Sequence, residues 1–557
     1  MQSASASLRK VVLDLAFGQG EHFARARKER RADETLHYIA PAPSMPPPCA
    51  PGWPSAVPGM HRLHLDGGAV TLDLLIGDQA SALGEIAARA DHFIVDGPVP
   101  QPRLLGRLAA PGATLQARSP DDATLRALRS AGFAWPEQQD EWLHAVYASR
   151  RPQAPAAPPP SRRAIVVGAG LAGAAACERL CARGWEVTLV ERHGQAAQEA
   201  SGNRAGIFMP LLSKDDNIPT RLTRAAYLYA MRRWQALGGF GGAMQGAQCG
   251  VLQLARDAEH AQLQEELVKQ WNYPPEFVRW LDPQAASAVL GSATPSGAWL
   301  FPQGGWANPA SICRAMLEAC GGRLQRRFHS EAVRIERRGG EWAVLDAGGR
   351  VLAQAPDLVL ANGAGALALP PTAPLPLYTM RGQVTHLPDQ RFPALPMVVC
   401  REAYMTPPVD GIVSVGATYD SDGERALRAS SQEENLARAE EILSPGRLAP
   451  HRLDEAPLAG RVGFRCMAPD RLPLAGTLPD YGAHGRPERL RDVPRHPGLH
   501  CLLGYASRGL IWAPLMAELL ASQLEGEPLP LEAGLAAALD PARFLLKDRR
   551  RSVAATP

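Results

Sequence analysis

Short apolar runs alternate with stretches of helical period through the first 150 residues. Val11 to Phe17, Val70 to Ile76 and His92 to Val95 are bounded by polar or glycine positions, and helix-like stretches such as Gln79 to Arg89 lie between them. This alternation predicts an α/β unit built on a parallel sheet. Two proline-rich stretches interrupt it, one from Pro41 to Pro58 and one from Arg151 to Ser161. Dense proline favours extended backbone without a packing partner, so the second stretch is the better domain boundary. Beyond it the pattern sharpens. The buried-strand run Ala164-Ile165-Val166-Val167 enters Gly168, a helix is predicted to Arg183, and Gly184 leads into a second strand ending at Glu191. A long mixed region follows, then a strand-to-helix turn from Cys501 to Leu524. The expected organisation is an α/β domain over residues 1–150, a linker over 151–161, and an α/β domain with a substantial β insertion over 162–557. No fixed-period repeat is evident.

Composition narrows this little. A chain of 557 residues exceeds what one hydrophobic core usually supports, and 46 % apolar with 21 % charged residues excludes wholesale disorder. A net charge of +3 is too small for general nucleic-acid coating, so any RNA contact must come from patches. The basic tail Lys547, Arg549, Arg550 and Arg551 reads as a solvated chain end. Nine cysteines occur without a CxxC pair, and Cys177 and Cys181 fall one helical turn apart, as small apolar residues of a reducing compartment. The start runs into Gly18-Gln19-Gly20 without a cleavage-type segment, and no window approaches the ~18 uninterrupted apolar residues of a membrane span. The expectation is a cytoplasmic protein, monomeric, with no membrane and no metal.

The second domain opens with chemistry. Gly168-Ala169-Gly170-Leu171-Ala172-Gly173 follows a strand and opens a helix. Gly168 and Gly170 allow a tight turn and close approach of a pyrophosphate to the helix N-terminus, Gly173 permits helix-on-strand packing, and Glu191 is placed to accept bonds from ribose hydroxyls. FAD and NAD share this fingerprint.

The next segments resemble the D-amino-acid-oxidase family. Glu199-Ala200-Ser201-Gly202-Asn203-Arg204-Ala205-Gly206, followed by Met209-Pro210, is similar to that family's second flavin-contacting stretch. Gly504-Tyr505-Ala506-Ser507-Arg508-Gly509-Leu510 resembles its last strand-to-helix turn, and Asp357 to Gly363 its return strand. The resemblance implies FAD as cofactor, with Ser201, Gly202, Asn203, Gly206, Ser507, Arg508, Gly509 and Leu510 joining the glycines and Glu191 around it. It also implies flavin-binding parts at about 162–235, 310–370 and 495–525, with a glycine-oxidase-like mixed β-sheet substrate domain between them. Gly463-Phe464-Arg465-Cys466 through Gly476 resembles the glycine-oxidase element in which an arginine faces the substrate carboxylate. A planar guanidinium binds a carboxylate bidentately, so Arg465 is the expected anchor, and Tyr404 a substrate-side hydroxyl.

Ordered motifs name a narrower group. Ala200-Ser201-Gly202-Asn203-Arg204 with Pro210 to Lys214, Gly304-Gly305-Trp306-Ala307-Asn308-Pro309, Arg381-Gly382-Gln383-Val384-Thr385-His386, Tyr404-Met405-Thr406-Pro407 and the Arg465 element recur in order in the bifunctional bacterial enzymes of 5-methylaminomethyl-2-thiouridine biosynthesis in tRNA. This resemblance implies FAD-dependent removal, as glyoxylate, of the carboxymethyl group of 5-carboxymethylaminomethyl uridine at the tRNA wobble position. A free glycine- or sarcosine-type amino-acid oxidase and a non-catalytic flavin-containing tRNA-binding scaffold are the competing readings.

In that group the N-terminal half is a class I methyltransferase using S-adenosylmethionine. Val11 to Gly20 resembles its glycine-rich loop, and His61 to Asp78 a later hairpin and motif. Three departures set this chain apart. Ala16 replaces the first glycine of the loop; the second strand ends in Ile39-Ala40-Pro41-Ala42-Pro43, where an acidic ribose-binding residue is usual; and after Asp96-Gly97 a Phe-Ala-Pro and Asn-Pro-x-x-Trp segment gives way to Pro98 to Pro102. The chain also begins almost at the first motif, without the family's preceding segment. The expectation is a degenerate methyltransferase kept for packing or tRNA binding, with S-adenosylmethionine a cofactor only if the half still works.

Overall fold

The strand Leu8–Asp14 carries Val11, Val12 and Leu13 almost fully buried, the signature of a central parallel strand covered on both faces. In the computed structural model, which describes residues 8–96, 99, 101–136, 142–149, 158–388, 395–443, 458–485 and 487–546, this strand lies between Glu34–Ala42 and Ala90–Asp96, parallel to both. Val70–Ile76 and Ala109–Arg118 extend the parallel core on either side. Antiparallel strands close the edges: Gly59–Leu65 pairs Val70–Ile76 as the expected hairpin, and Trp142–Tyr147 pairs Ala109–Arg118. The helix expected over Gln79 to Arg89 stops at Glu85. Ile86 turns extended, and the Ala87 carbonyl accepts from Leu529 N at 3.1 Å.

By the density of its contacts the chain divides into residues 1–160 with 519–537, and residues 161–518 with 538–557. A purely sequential division therefore misplaces 519–537. Side chains of the first sheet hold that segment: Arg62 donates to Ser522 Oγ at 2.9 Å and to Pro528 O at 2.7 Å, and Arg9 donates to the carbonyls of Glu525 and Gly526. The stretch from Pro41 to Pro58 is also packed rather than free. Trp53 donates to Pro46 O at 2.9 Å, and Met45, Cys49 and Trp53 lie against the Phe17 and Phe23 cluster. Much of the expected linker and the basic tail from Lys547 lie outside the described residues, as do Gly97, Pro98 and Pro100.

The second unit holds a six-stranded sheet ordered Leu324–Arg327, Glu186–Val190, Arg163–Val167, Asp357–Leu360, Arg495–Leu503 and Leu474–Pro479. The first five are parallel and the last is antiparallel. Leu171–Cys181 is the crossover helix, and Cys177 and Cys181 are buried in it as free thiols. The inserted region forms a separate eight-stranded mixed sheet, in which Tyr378–Pro388 pairs antiparallel with both Ile412–Gly416 and Ala459–Met467. Among the described residues no helix is long and apolar enough to cross a membrane, and no group of three His, Cys, Asp or Glu side chains could hold a metal ion.

Candidate active site

The glycine cradle of the second unit is built by contact. Gly168 has φ +100°, and a Cβ there would stand 2.7 Å from Ala361 O at the end of the return strand. At Gly173 a Cβ would fall within 1.8 Å of Gly168 O, so the helix can enter the turn only over bare backbone. At Gly170 it would stand 3.0 Å from Ser201 Oγ, which accepts from Leu171 N at 3.1 Å. Ser201 thus lies at the helix N-terminus, where orphan amides favour an anion. Glu191 directly follows the strand Glu186–Val190 with both oxygens fixed, Oε2 accepting from Ala169 N at 2.7 Å and Oε1 from His193 N at 2.9 Å. Asn362, against Gly168, keeps a buried Oδ1 without a partner.

The last turn converges on the same place. Leu510 Cδ1 lies 2.8 Å from where a Gly206 Cβ would be, and a Gly509 Cβ would lie 3.4 Å from Leu171 Cδ1. The helix Gly509–Glu525 therefore starts beside the start of Leu171–Cys181. Gly202 packs against Arg461, Ser507 is exposed, and Asn203 is half-buried in the connecting loop. These residues suit a flavin dinucleotide: an open glycine cradle, two helix N-termini, a strand-end carboxylate and an orphaned amide oxygen. Gly168→Ala is expected to yield protein without the yellow flavin absorbance, since the change is strained in φ and in space; stoichiometric flavin in the purified variant would contradict this.

The Arg508 side chain, expected beside the flavin, donates to Met209 O at 3.3 Å, and burial lowers its pKa. It shares the environment of Tyr419 and Cys400, toward the inserted sheet.

Arg465 lies on the strand Ala459–Met467, which is tied to both segments expected to face the flavin. Arg461 donates to the carbonyls of Gln198 and Glu199 at 2.7 and 2.8 Å, and Ala506 N donates to Cys466 O at 2.9 Å. The Arg465 guanidinium donates from Nη1 to Thr418 O at 3.0 Å and to Arg381 O at 3.3 Å, and its carbon sits 4.0 Å from the Tyr419 ring centroid. Among the described residues no carboxylate is within ion-pair distance of it. Tyr404 pairs with Gly416 one strand away; burial pushes its hydroxyl up to about 12, against the pull of the Arg465 charge. It holds its proton at neutral pH and can donate.

Two residues of the Arg381 to His386 motif take roles that the motif alone does not give. Gly382 lies opposite Gly463, and a Cβ there would stand 2.2 Å from Arg465 Nη1. The guanidinium occupies the space a side chain would take. Arg381, wholly buried, donates to Asp420 Oδ2 at 3.0 Å, to the carbonyls of Glu424 and Ala426 at 2.8 Å each, and to Gln383 Oε1 at 2.9 Å, fixing the loop that carries Thr418 and Tyr419. Gly382→Ala should displace Arg465 and lower kcat/KM on the order of a hundredfold, the cost of an ångström-scale misplacement, with flavin retained. Steady-state kinetics beside the flavin spectrum checks this, and an unchanged kcat/KM would contradict it.

The glycine loop of the first unit is a different case. Gly18 and Gly20 have φ +51° and +84°, and Asp14 accepts from Ala16 N at 2.8 Å and from the Tyr38 hydroxyl. The second strand nevertheless ends in buried Ala42, and Cys49 Sγ lies 3.1 Å from where a Gly20 Cβ would be. Among the described residues the strand end offers no carboxylate to a ribose.

Residues 163–523 match the family model described as FAD dependent oxidoreductase. The chain is 42 % identical to the tRNA 5-methylaminomethyl-2-thiouridine biosynthesis bifunctional protein MnmC of Burkholderia thailandensis, over 95 % of this chain and 85 % of that protein. It is likewise 42 % identical to the protein of that name from Azoarcus sp., over 97 % and 91 %. Among solved structures, glycine oxidase from Geobacillus kaustophilus superposes with a TM-score of 0.54 at 22 % identity, covering 69 % of this chain and 99 % of that one. Iminodiacetate oxidase from Chelativorans sp. superposes with a TM-score of 0.53 at 25 % identity, covering 66 % and 96 %.

Proposed function

The chain belongs to the family of bifunctional tRNA 5-methylaminomethyl-2-thiouridine biosynthesis proteins, and from that premise we propose that it removes the carboxymethyl group of 5-carboxymethylaminomethyl uridine at the tRNA wobble position, as glyoxylate. The observation that carries the reading is Arg465, a cation unpaired by any described carboxylate, on a strand bonded at Arg461 and Cys466 to the two loops of the flavin cradle.

The substrate arm is an N-substituted glycine. Its carboxylate is the group a guanidinium reads bidentately, and Arg465 Nη2 is committed to neither Thr418 nor Arg381. Iminodiacetate, the substrate named for one structural neighbour, is also an N-substituted glycine. Bound FAD supplies the two-electron oxidation of the glycyl C–N bond. Water then adds to the resulting imine, and the C–N bond breaks to leave glyoxylate and a 5-aminomethyl uridine. The chain's part is to bind and orient: Arg465 fixes the carboxylate, Tyr404 presents a protonated hydroxyl, and Gly168, Gly170, Gly173, Glu191 and Ser201 hold the dinucleotide.

The first unit, on this reading, no longer methylates the released amine. Ala42 cannot supply the charge-assisted bonds to a ribose, each about 1.5–3 kcal/mol. Wobble nucleosides from a deletion strain, separated by mass spectrometry, test the whole. Accumulated 5-carboxymethylaminomethyl uridine supports the oxidase role, and an unaltered nucleoside profile overturns it. Calorimetric binding of S-adenosylmethionine at micromolar affinity would overturn the loss of methylation.

A further inference from the structure

Tyr419 is 53 % exposed, yet the backbone that carries it is locked. Thr418 N donates to Gln383 O at 3.2 Å, and Thr418 Oγ1 accepts from Gln383 N and donates to Asp420 Oδ2, each at 3.1 Å. Arg381 and Asp420 exchange backbone bonds at 2.8 and 3.0 Å. An aromatic ring is thus held out to solvent on a segment fixed on both sides. One ring face carries Arg465, 4.0 Å from the centroid, and the ring lies within electrostatic range of Arg508 and Tyr404. With that face covered, the exposure belongs to the remainder of the ring.

We propose that Tyr419 is the stacking platform for the uracil ring of the substrate and sets the preference for a nucleotide-borne glycine over a free one. The inference rests on the tRNA reading above. Unpaired bases are held by stacking on aromatic side chains, a contact that needs a fixed ring with an open face. The reach is suitable. The arm from uracil C5 through methylene, amine and methylene to the carboxylate carbon is four bonds, a contour of about 6 Å at ~1.5 Å per bond. The Arg465 carbon is 4.0 Å from the ring centroid, so an arm that passes the ring edge from a base on the open face meets the guanidinium with its carboxylate. A free N-substituted glycine has the carboxylate and nothing to stack.

The test compares wild type, Tyr419→Ala and Tyr419→Phe as flavin-loaded full-length protein on two substrates, tRNA bearing 5-carboxymethylaminomethyl uridine and free sarcosine. Tyr419→Ala should raise KM for the tRNA about ten- to a hundredfold, the loss of one base–aromatic stack, and at least tenfold more than it raises KM for sarcosine. Tyr419→Phe, which keeps the ring, should restore the tRNA value. Equal losses on both substrates, no loss on tRNA, or failure of phenylalanine to restore it each overturn the assignment. A wild-type protein that oxidises sarcosine and leaves the tRNA untouched would instead remove the tRNA reading itself, and this inference with it.

Discussion

Replacing Arg465 with alanine is expected to lower kcat/KM for tRNA carrying 5-carboxymethylaminomethyl uridine at least a hundredfold while the protein keeps its flavin. The guanidinium would make two charge-assisted bonds to the glycyl carboxylate, each about 1.5–3 kcal/mol, and 1.36 kcal/mol is about tenfold in rate. Lysine at the same place should recover only part of the loss, because a point charge cannot reproduce the two-pronged geometry. The strand's ties to the flavin cradle run through Arg461 and Cys466, so they survive the change. Sarcosine oxidation should fall as well, since the anchor reads the carboxylate common to both. Stopped-flow reduction of the bound flavin measures the effect, and unaltered rates on both substrates would remove Arg465 from the site.

The second large effect lies far from the flavin. Arg62→Ala should destabilise the first unit by about 3–5 kcal/mol, the cost of leaving a buried charge without its partner. Arg62 is 2 % exposed and donates to Asp73 from Nε at 2.8 Å and from Nη2 at 2.7 Å, besides its bonds to Ser522 and Pro528. Burial alone would raise the Asp73 pKa. The Arg62 charge, then that of His37, more than offsets it and holds the carboxyl at about 2, below its unfolded value of about 3.9. Asp73 therefore contributes stability that is fully present above about pH 4 and lost as the pH falls through about 2. In the variant, a urea transition followed by proteolysis within residues 1–160 should move to lower denaturant, and an unshifted midpoint would contradict the account. Release of 519–537 should accompany it, since two of the segment's anchors are bonds from Arg62.

What the sequence could convey follows from the range of each interaction. The Gly168 to Glu191 unit is local: strand, turn, helix and strand lie within thirty residues, and each glycine has a steric reason visible in the motif. Arg465 is legible because its flanks repeat a known element. Gly382 and Tyr419 are not, because their meaning depends on the antiparallel register that sets Met380 opposite Arg465 and on a loop bonded back to Arg381. Arg62 reads as an ordinary polar residue of an alternating strand, and only the fold shows it buried against Asp73. The final helix has the same difficulty. Gly509–Glu525 is apolar almost throughout, so its pattern could not reveal that residues from Leu519 pack with a sheet whose Arg62 lies 460 residues before Ser522. The helix expected to reach Arg89 fails for a related reason, since Ala87 bonds a segment that local propensity cannot see.

The most direct test of the central claim is anaerobic mixing of the flavin-loaded protein with tRNA bearing 5-carboxymethylaminomethyl uridine, followed by absorbance of the flavin and analysis of the products. The flavin should bleach, with one glyoxylate released per flavin reduced and 5-aminomethyl uridine left in the tRNA. A flavin that stays oxidised with this tRNA, while free sarcosine bleaches it, would contradict the account.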